Sequence, residues 1–145
     1  MSEDIRKKVI EYMEGHNICT VATLREDGFP QANTVEYVNE GTNILFATDP
    51  ESQKTKNIKF SNRVSLTIDE DYPDWNKIKG VSMGGFAEIL ERKEEIEKAM
   101  GLYLKKFPFV ANFPPMEMAV VRITPKIIHF LDYEIGWNHH DVLEL

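Results

Sequence analysis

Seven short strand-like segments fall within 145 residues, and most are joined to the next by a turn too short for a crossover. Parallel neighbours need a connection of a dozen or more residues, so this spacing demands antiparallel pairing. The segments are residues 18–24, 32–38, 44–47, 64–68, 78–90, 118–123 and 127–131. Asp27-Gly28-Phe29-Pro30 and Asn39-Glu40-Gly41 separate the first three, which read as a meander. Unpaired edges on that many strands invite association, and closure into a barrel removes them. The expected fold is mostly β with helices, an α+β arrangement built on a small antiparallel β-barrel whose ends the helices plug.

Three helices are expected between these segments. Residues 2–14 have Ser2 as N-cap, Glu3 and Asp4 in the first turn and Gly15 as the stop, with Ile5, Val9, Tyr12 and Met13 on one face. A short helix ends near Phe60, with Asp49 or Ser52 as its cap and Pro50 at its first position. Residues 91–106 form the third, with Ile96, Met100, Tyr103 and Leu104 as its apolar stripe. Gly80, Gly84 and Gly85 lie inside one strand, which signals a bulge or a close backbone approach. Residues 107–115 hold three prolines and read as a loop, and Thr124-Pro125 splits the last two strands. From Asp132 onward the chain reads as a solvated tail.

Composition narrows the function classes. With 42% hydrophobic and 28% charged residues the chain is globular, and its length suits one domain over residues 1–145. A net charge of −7 disfavours sequence-independent nucleic-acid binding but leaves room for a small anion on a local cluster. The one cysteine, Cys19, excludes an internal disulfide and a cysteine-built zinc site, and reads as a buried, inert thiol. The first six residues lack a basic region followed by an apolar run, and no apolar stretch is long enough to span a bilayer. A cytoplasmic protein with no membrane contact is expected.

The histidines carry little. His139 and His140 are adjacent and point to different sides, so no metal site is expected there. His16 reads as a cap on the first helix, and His129 as a satisfied barrel residue. Trp75 and Trp137 lie in polar segments, where core, interface and ring-stacking roles all stay open. Asp69-Glu70-Asp71 reads as a solvated turn.

The stretch with the most chemistry runs from Thr48 through Ser52-Gln53-Lys54-Thr55 into a helix. A helix start offers unpaired N–H groups and a positive dipole end, to which this segment adds three hydroxyls and the Lys54 and Lys56 ammoniums. Such a cradle suits a phosphate monoester. Residue physics alone favours the plainer reading, a capped helix with solvated lysines, because Ser caps and exposed lysines are common.

The order of features resembles the FMN-binding split-barrel family, the relatives of pyridoxamine 5′-phosphate oxidase. The resemblance covers residues 5–133. It is carried by Ile18-Cys19-Thr20-Val21-Ala22-Thr23, Asp27-Gly28-Phe29-Pro30, Leu45-Phe46-Ala47-Thr48 with Ser52-Gln53-Lys54-Thr55, Asn57-Ile58, Arg63-Val64-Ser65-Leu66, Gly85-Phe86-Ala87-Glu88 and Ile123-Thr124-Pro125. It implies an antiparallel split barrel holding FMN at a homodimer interface. By the resemblance Ser52, Gln53 and Lys54 grip the phosphate, beside Ala47 and Thr48 at the end of the preceding strand. The flavin ring lies along Ala32, Asn33, Thr34 and Val35, and the partner subunit contributes Trp75, Gly80, Val81 and Trp137.

Two departures stand out. Gln53 replaces an arginine beside the phosphate lysine, which removes a bidentate clamp and implies a weaker grip. No arginine follows Arg122, whereas the oxidases hold their substrate with an arginine and a histidine in the C-terminal segment, so vitamin B6 oxidation is not expected. No acid–base pair or nucleophile stands out, so no catalytic side chain is assigned; in a flavoprotein the ring carries the redox chemistry. The expectation is an FMN-dependent oxidoreductase acting on a small molecule, with NAD(P)H as a candidate donor. A carrier or sensor of FMN, a haem- or deazaflavin-binding barrel and a purely structural dimer are the alternatives.

Overall fold

The computed structural model describes residues 2–145, with side chains from Glu3 onward, so the expected Ser2 cap lies outside the described side chains. In chain order the elements are α1 (Ser2–Glu14), β1 (Ile18–Leu24), β2 (Pro30–Glu36), β3 (Val38–Glu40), β4 (Asn43–Thr48), α2 (Gln53–Phe60), β5 (Arg63–Ile68), β6 (Lys79–Ile89), α3 (Lys93–Lys106), β7 (Ala119–Asp132) and β8 (His140–Glu144). Short 3-10 turns cover Trp75–Lys77 and Pro108–Asn112. All strand pairs are antiparallel, in the order β2-β1-β5-β6-β7-β4-β3, with β8 added to β7. This is the expected α+β split barrel.

The sheet differs from a simple meander at one residue. The expected strand 32–38 breaks at Tyr37, so β2 and β3 are consecutive in the chain yet form opposite edges of the sheet. Tyr37 is fully buried; its N–H donates to Asn17 O at 3.1 Å and its hydroxyl to Met13 O at 2.6 Å. The Lys106 ammonium lies 4.2 Å over its ring. This elbow, clamped between α1 and α3, curls the sheet on itself.

Three further differences have local causes. The expected strands 118–123 and 127–131 are one strand, β7, because the break at Pro125 is absorbed by a bulge opposite Gly84/Gly85. Lys126 is the extra residue, with Gly84 opposite Ile127 and Gly85 opposite Pro125. The tail is not solvated chain but β8, held to β7 with Leu143 buried. His129 is exposed on the outer face of β7 rather than inside the barrel.

The core fills the barrel: Val9 and Met13 of α1 plug one end against Val21, Phe46, Ile68, Met83 and Ile128, among others. A second apolar layer lies under α3, around Ala99, Tyr103, Leu45 and Val120. Leu104, expected in the stripe, is exposed instead. Among the described residues no helix is long and apolar enough to cross a membrane.

Candidate functional site

The strand β4 ends at Thr48, whose buried hydroxyl starts a chain of three. Thr48 Oγ1 and Ser52 Oγ lie 3.3 Å apart, and Ser52 Oγ and Thr55 Oγ1 3.0 Å apart. Ser52 is the N-cap of α2, accepting from Thr55 N at 3.3 Å. Of the two expected caps Ser52 is therefore the one used. Asp49 instead closes the preceding turn, its carboxylate accepting from Glu51 N at 2.8 Å, and Pro50 sits in that turn rather than at the first helical position. The amides of Gln53 and Lys54 open the helix and have no intrahelical carbonyl to reach. Lys54 is half-buried beside them. Three hydroxyls and two unpaired amides thus meet at one helix start whose first turn also carries Lys54, a donor set that fits a phosphate monoester.

Gln53 does not stand in for an arginine. Its amide donates to Asn57 Oδ1 at 2.8 Å, and Asn57, 1% exposed, donates to Thr23 Oγ1 at 3.0 Å and Gln31 Oε1 at 3.4 Å. Gln31 in turn donates to Asn33 Oδ1 at 3.2 Å. This amide relay ties α2 to the start of β2 and aligns the two parts of the site. Sequence reading missed Asn57 as its hub. The available signal was an amide four residues after Gln53, on one helical face with it.

From there β2 carries Ala32, Asn33, Thr34 and Val35 past β4. Ala32 and Thr34 face outward and are exposed, Asn33 is half-buried, and Val35 packs its side chain into the core. Tyr103 of α3 bridges the gap between β2 and β4, donating to Glu36 O at 2.9 Å and accepting from Ala47 N at 3.0 Å. Burial keeps its phenol protonated by pushing its pKa well above the ordinary value. The Ala47 amide is thereby occupied, leaving the rest of that residue to face a ligand. Beside this bridge opens a cavity of about 640 Å³, lined by Thr34, Val35, Glu36 and Ala47 on the sheet side and by α3 and the chain after it on the other.

The remaining expected residues lie elsewhere. Trp75 is in the 3-10 turn and 67% exposed; Trp137 is 69% exposed, its ring 4.9 Å from Tyr133. Gly80 is half-buried near the start of β6, and Val81 points its side chain into the core, which leaves only its backbone for a ligand. Tyr133 N donates to Ile78 O at 2.9 Å, so these four positions gather at one place. That place is the opposite end of β6 from the end of α2, since Asn62, two residues beyond the helix, accepts from Ala87 N at 2.7 Å. Lys79 to Ala87 spans roughly 26 Å at ~3.3 Å per residue. One chain therefore brings together Ala32–Val35, Ala47, Thr48 and Ser52–Lys54, but not Trp75, Gly80, Val81 and Trp137.

The histidines outside this site make local contacts. His16 Nδ1 lies 2.8 Å from Tyr12 O, the helix-capping role expected of it. His139 Nε2 lies 3.3 Å from Asp141 Oδ2. No group of three or more metal-ligating side chains gathers among the described residues. Cys19 is 2% exposed and burial pushes its thiol up to about 12, so it is no nucleophile.

The sequence profile of the family described as pyridoxamine 5′-phosphate oxidase matches residues 5–132. No curated protein matches the chain. Among solved structures, a conserved hypothetical protein from Mycobacterium tuberculosis is 23% identical, with a TM-score of 0.78 over 88% of this chain and 84% of that one. A haem-binding protein from Mycobacterium smegmatis is 20% identical, with a TM-score of 0.76 over 94% of this chain and 57% of that one. A candidate pyridoxamine 5′-phosphate oxidase from Listeria innocua is 20% identical, with a TM-score of 0.72 over 88% of this chain and 98% of that one. At these identities the structural likeness speaks to the fold.

Proposed function

The chain belongs to the pyridoxamine 5′-phosphate oxidase family, and on that footing we propose that it is an FMN-binding homodimer working as a flavin-dependent oxidoreductase on a small molecule. The observation that carries this reading is the donor set at the start of α2, placed where β2 leads away from it into a cavity. Thr48, Ser52 and Lys54 hold the phosphate, and β2 backs the ring through residues 32–35. Bound FMN supplies the electron transfer; the protein binds it, orients it and keeps water from one face.

A second copy of the chain is part of the proposal, and the outer face of the sheet supports it. Two rows cross six strands there: Thr34, Thr20, Thr67, Ser82, His129 and Val142, then Ala32, Ala22, Ser65, Gly84, Ile127 and Glu144. All of these are exposed or half-buried, yet only Glu144 carries a formal charge at neutral pH. Loss of charge from an exposed face is the mark of an interface core. A partner seated there would bring its own Trp75, Gly80, Val81 and Trp137 toward the site, as the resemblance implies.

The test is the visible spectrum of the purified protein after incubation with FMN and removal of the excess. Flavin bands that stay with the protein are expected, and a colourless protein would contradict the assignment. Bleaching of those bands by NADH or NADPH separates an oxidoreductase from a carrier or sensor. Haem is the second reading, favoured by the likeness to the haem-binding Mycobacterium smegmatis protein, and a Soret band would support it. The cavity beside β2 offers methionines but no histidine or cysteine to a haem iron, which favours flavin.

A further inference from the structure

The cavity beside β2 has a chemical character that the family resemblance does not assign. Its outer wall is built from Met100 and Leu104 of α3 and from Phe107, Phe109, Phe113 and Met116 beyond it. The rings of Phe107, Phe109 and Phe113 run in sequence, with edge-on contacts at 6.1 and 5.9 Å. Tyr103 forms the floor with its hydroxyl already engaged on both sides. Pro114 and Pro115 stiffen the rim.

Among the described residues no cation lines this cavity. Of its described lining residues only Glu36, which is exposed, carries a formal charge at neutral pH. Lys106, the last residue of α3, is turned away, donating to His16 O and Tyr37 O. Arg122 is held by Glu88 and Glu95. A phosphate, sulfonate or carboxylate entering here would lose its water and meet no counter-charge, which costs far more than the apolar walls return.

We infer that this cavity takes an uncharged, largely aromatic or apolar molecule or ring, and that the anionic groups of any substrate or donor stay outside it. Its role as the substrate pocket rests on the proposed flavin site, because Thr34, Val35 and Ala47 belong to both. Its volume of about 640 Å³ suits a molecule of two or three fused or linked rings. The same walls separate the chain from enzymes that act on phosphorylated substrates, by what is missing rather than by any added clash.

The test uses two fluorescent probes that share an anilinonaphthalene body. N-phenyl-1-naphthylamine is neutral, and 8-anilinonaphthalene-1-sulfonate carries a sulfonate. Both are titrated into the full chain, with and without FMN. The neutral probe is expected to bind roughly tenfold or more tightly than the sulfonate. Leu104→Lys and Met116→Lys place a cation on the exposed rim, and each should weaken the neutral probe and strengthen the sulfonate. Equal binding of the two probes, or no response to either lysine, would overturn the inference. Flavin retention is read separately from the visible spectrum. If FMN is rejected while the probe preference stands, the flavin reading fails and the ligand class survives. If FMN is held and the neutral probe is not, the pocket inference alone fails.

Discussion

At the residue scale Lys54 is the side chain on which flavin retention should most depend. It is a half-buried residue in the first turn of α2, the turn whose opening amides have no partner within the helix. A hydrogen bond to a charged group is worth ~1.5–3 kcal/mol, so Lys54→Ala should weaken FMN retention by roughly 10- to 150-fold. Equilibrium dialysis against FMN checks this, and unchanged retention would remove Lys54 from the phosphate site. Cys19 gives a second check of the core. With its thiol pushed up to about 12, it should resist iodoacetamide at pH 8 in the folded protein and react on unfolding in urea. The sign of the linkage follows: the unfolded chain sheds this proton from 9.0 upward while the folded chain holds it, so this contribution falls between 9.0 and about 12. Labelling of the native protein at pH 8 would show that β1 is not packed as described.

At the scale of elements, two devices hold the site in shape. Tyr103 closes the gap where β2 and β4 do not pair, and Tyr103→Phe leaves Ala47 N and Glu36 O without that partner. A loss of about 1–3 kcal/mol in urea unfolding is expected, with weaker probe binding in the cavity. The bulge in β7 depends on Gly85 of β6 opposite it, where an added Cβ would lie 2.5 Å from Thr124 O. Gly85→Ala should cost about 1–3 kcal/mol, read from the same unfolding curves, and an unchanged midpoint would show that the bulge is soft. The glycine pair at residues 84 and 85 was legible as a bulge because glycine inside a strand has few other uses. Its partner was not: Pro125 reads as a strand break, and only the register across β6 shows that the bulge accommodates it. The same holds for residues 32–38, whose alternation is continuous although Tyr37 turns the chain. The turn is set by α1 and α3, which are remote in sequence. The local cradle at Thr48, Ser52 and Thr55 was legible because its residues are neighbours; the amide relay through Asn57 to Gln31 was not, because it joins residues 26 apart.

At the scale of the whole molecule, the split of the expected site is the main fact. The phosphate residues lie toward the Ala87 end of β6, residues 32–35 lie three strands away from β6 across the sheet, and Trp75, Gly80, Val81 and Trp137 gather at the start of β6. A second chain on the charge-poor sheet face reconciles them. Thr20→Glu with Ser65→Lys would set charges into that face without touching the core, since both side chains are exposed. The variant should stay folded by circular dichroism, sediment as a monomer and lose FMN. The most direct measurement is the mass of the FMN-loaded wild-type protein in solution together with its flavin content. The account predicts a dimer of two 16.8 kDa chains, with one FMN per chain. A monomer that holds FMN as tightly, or a dimer that holds none, would contradict it.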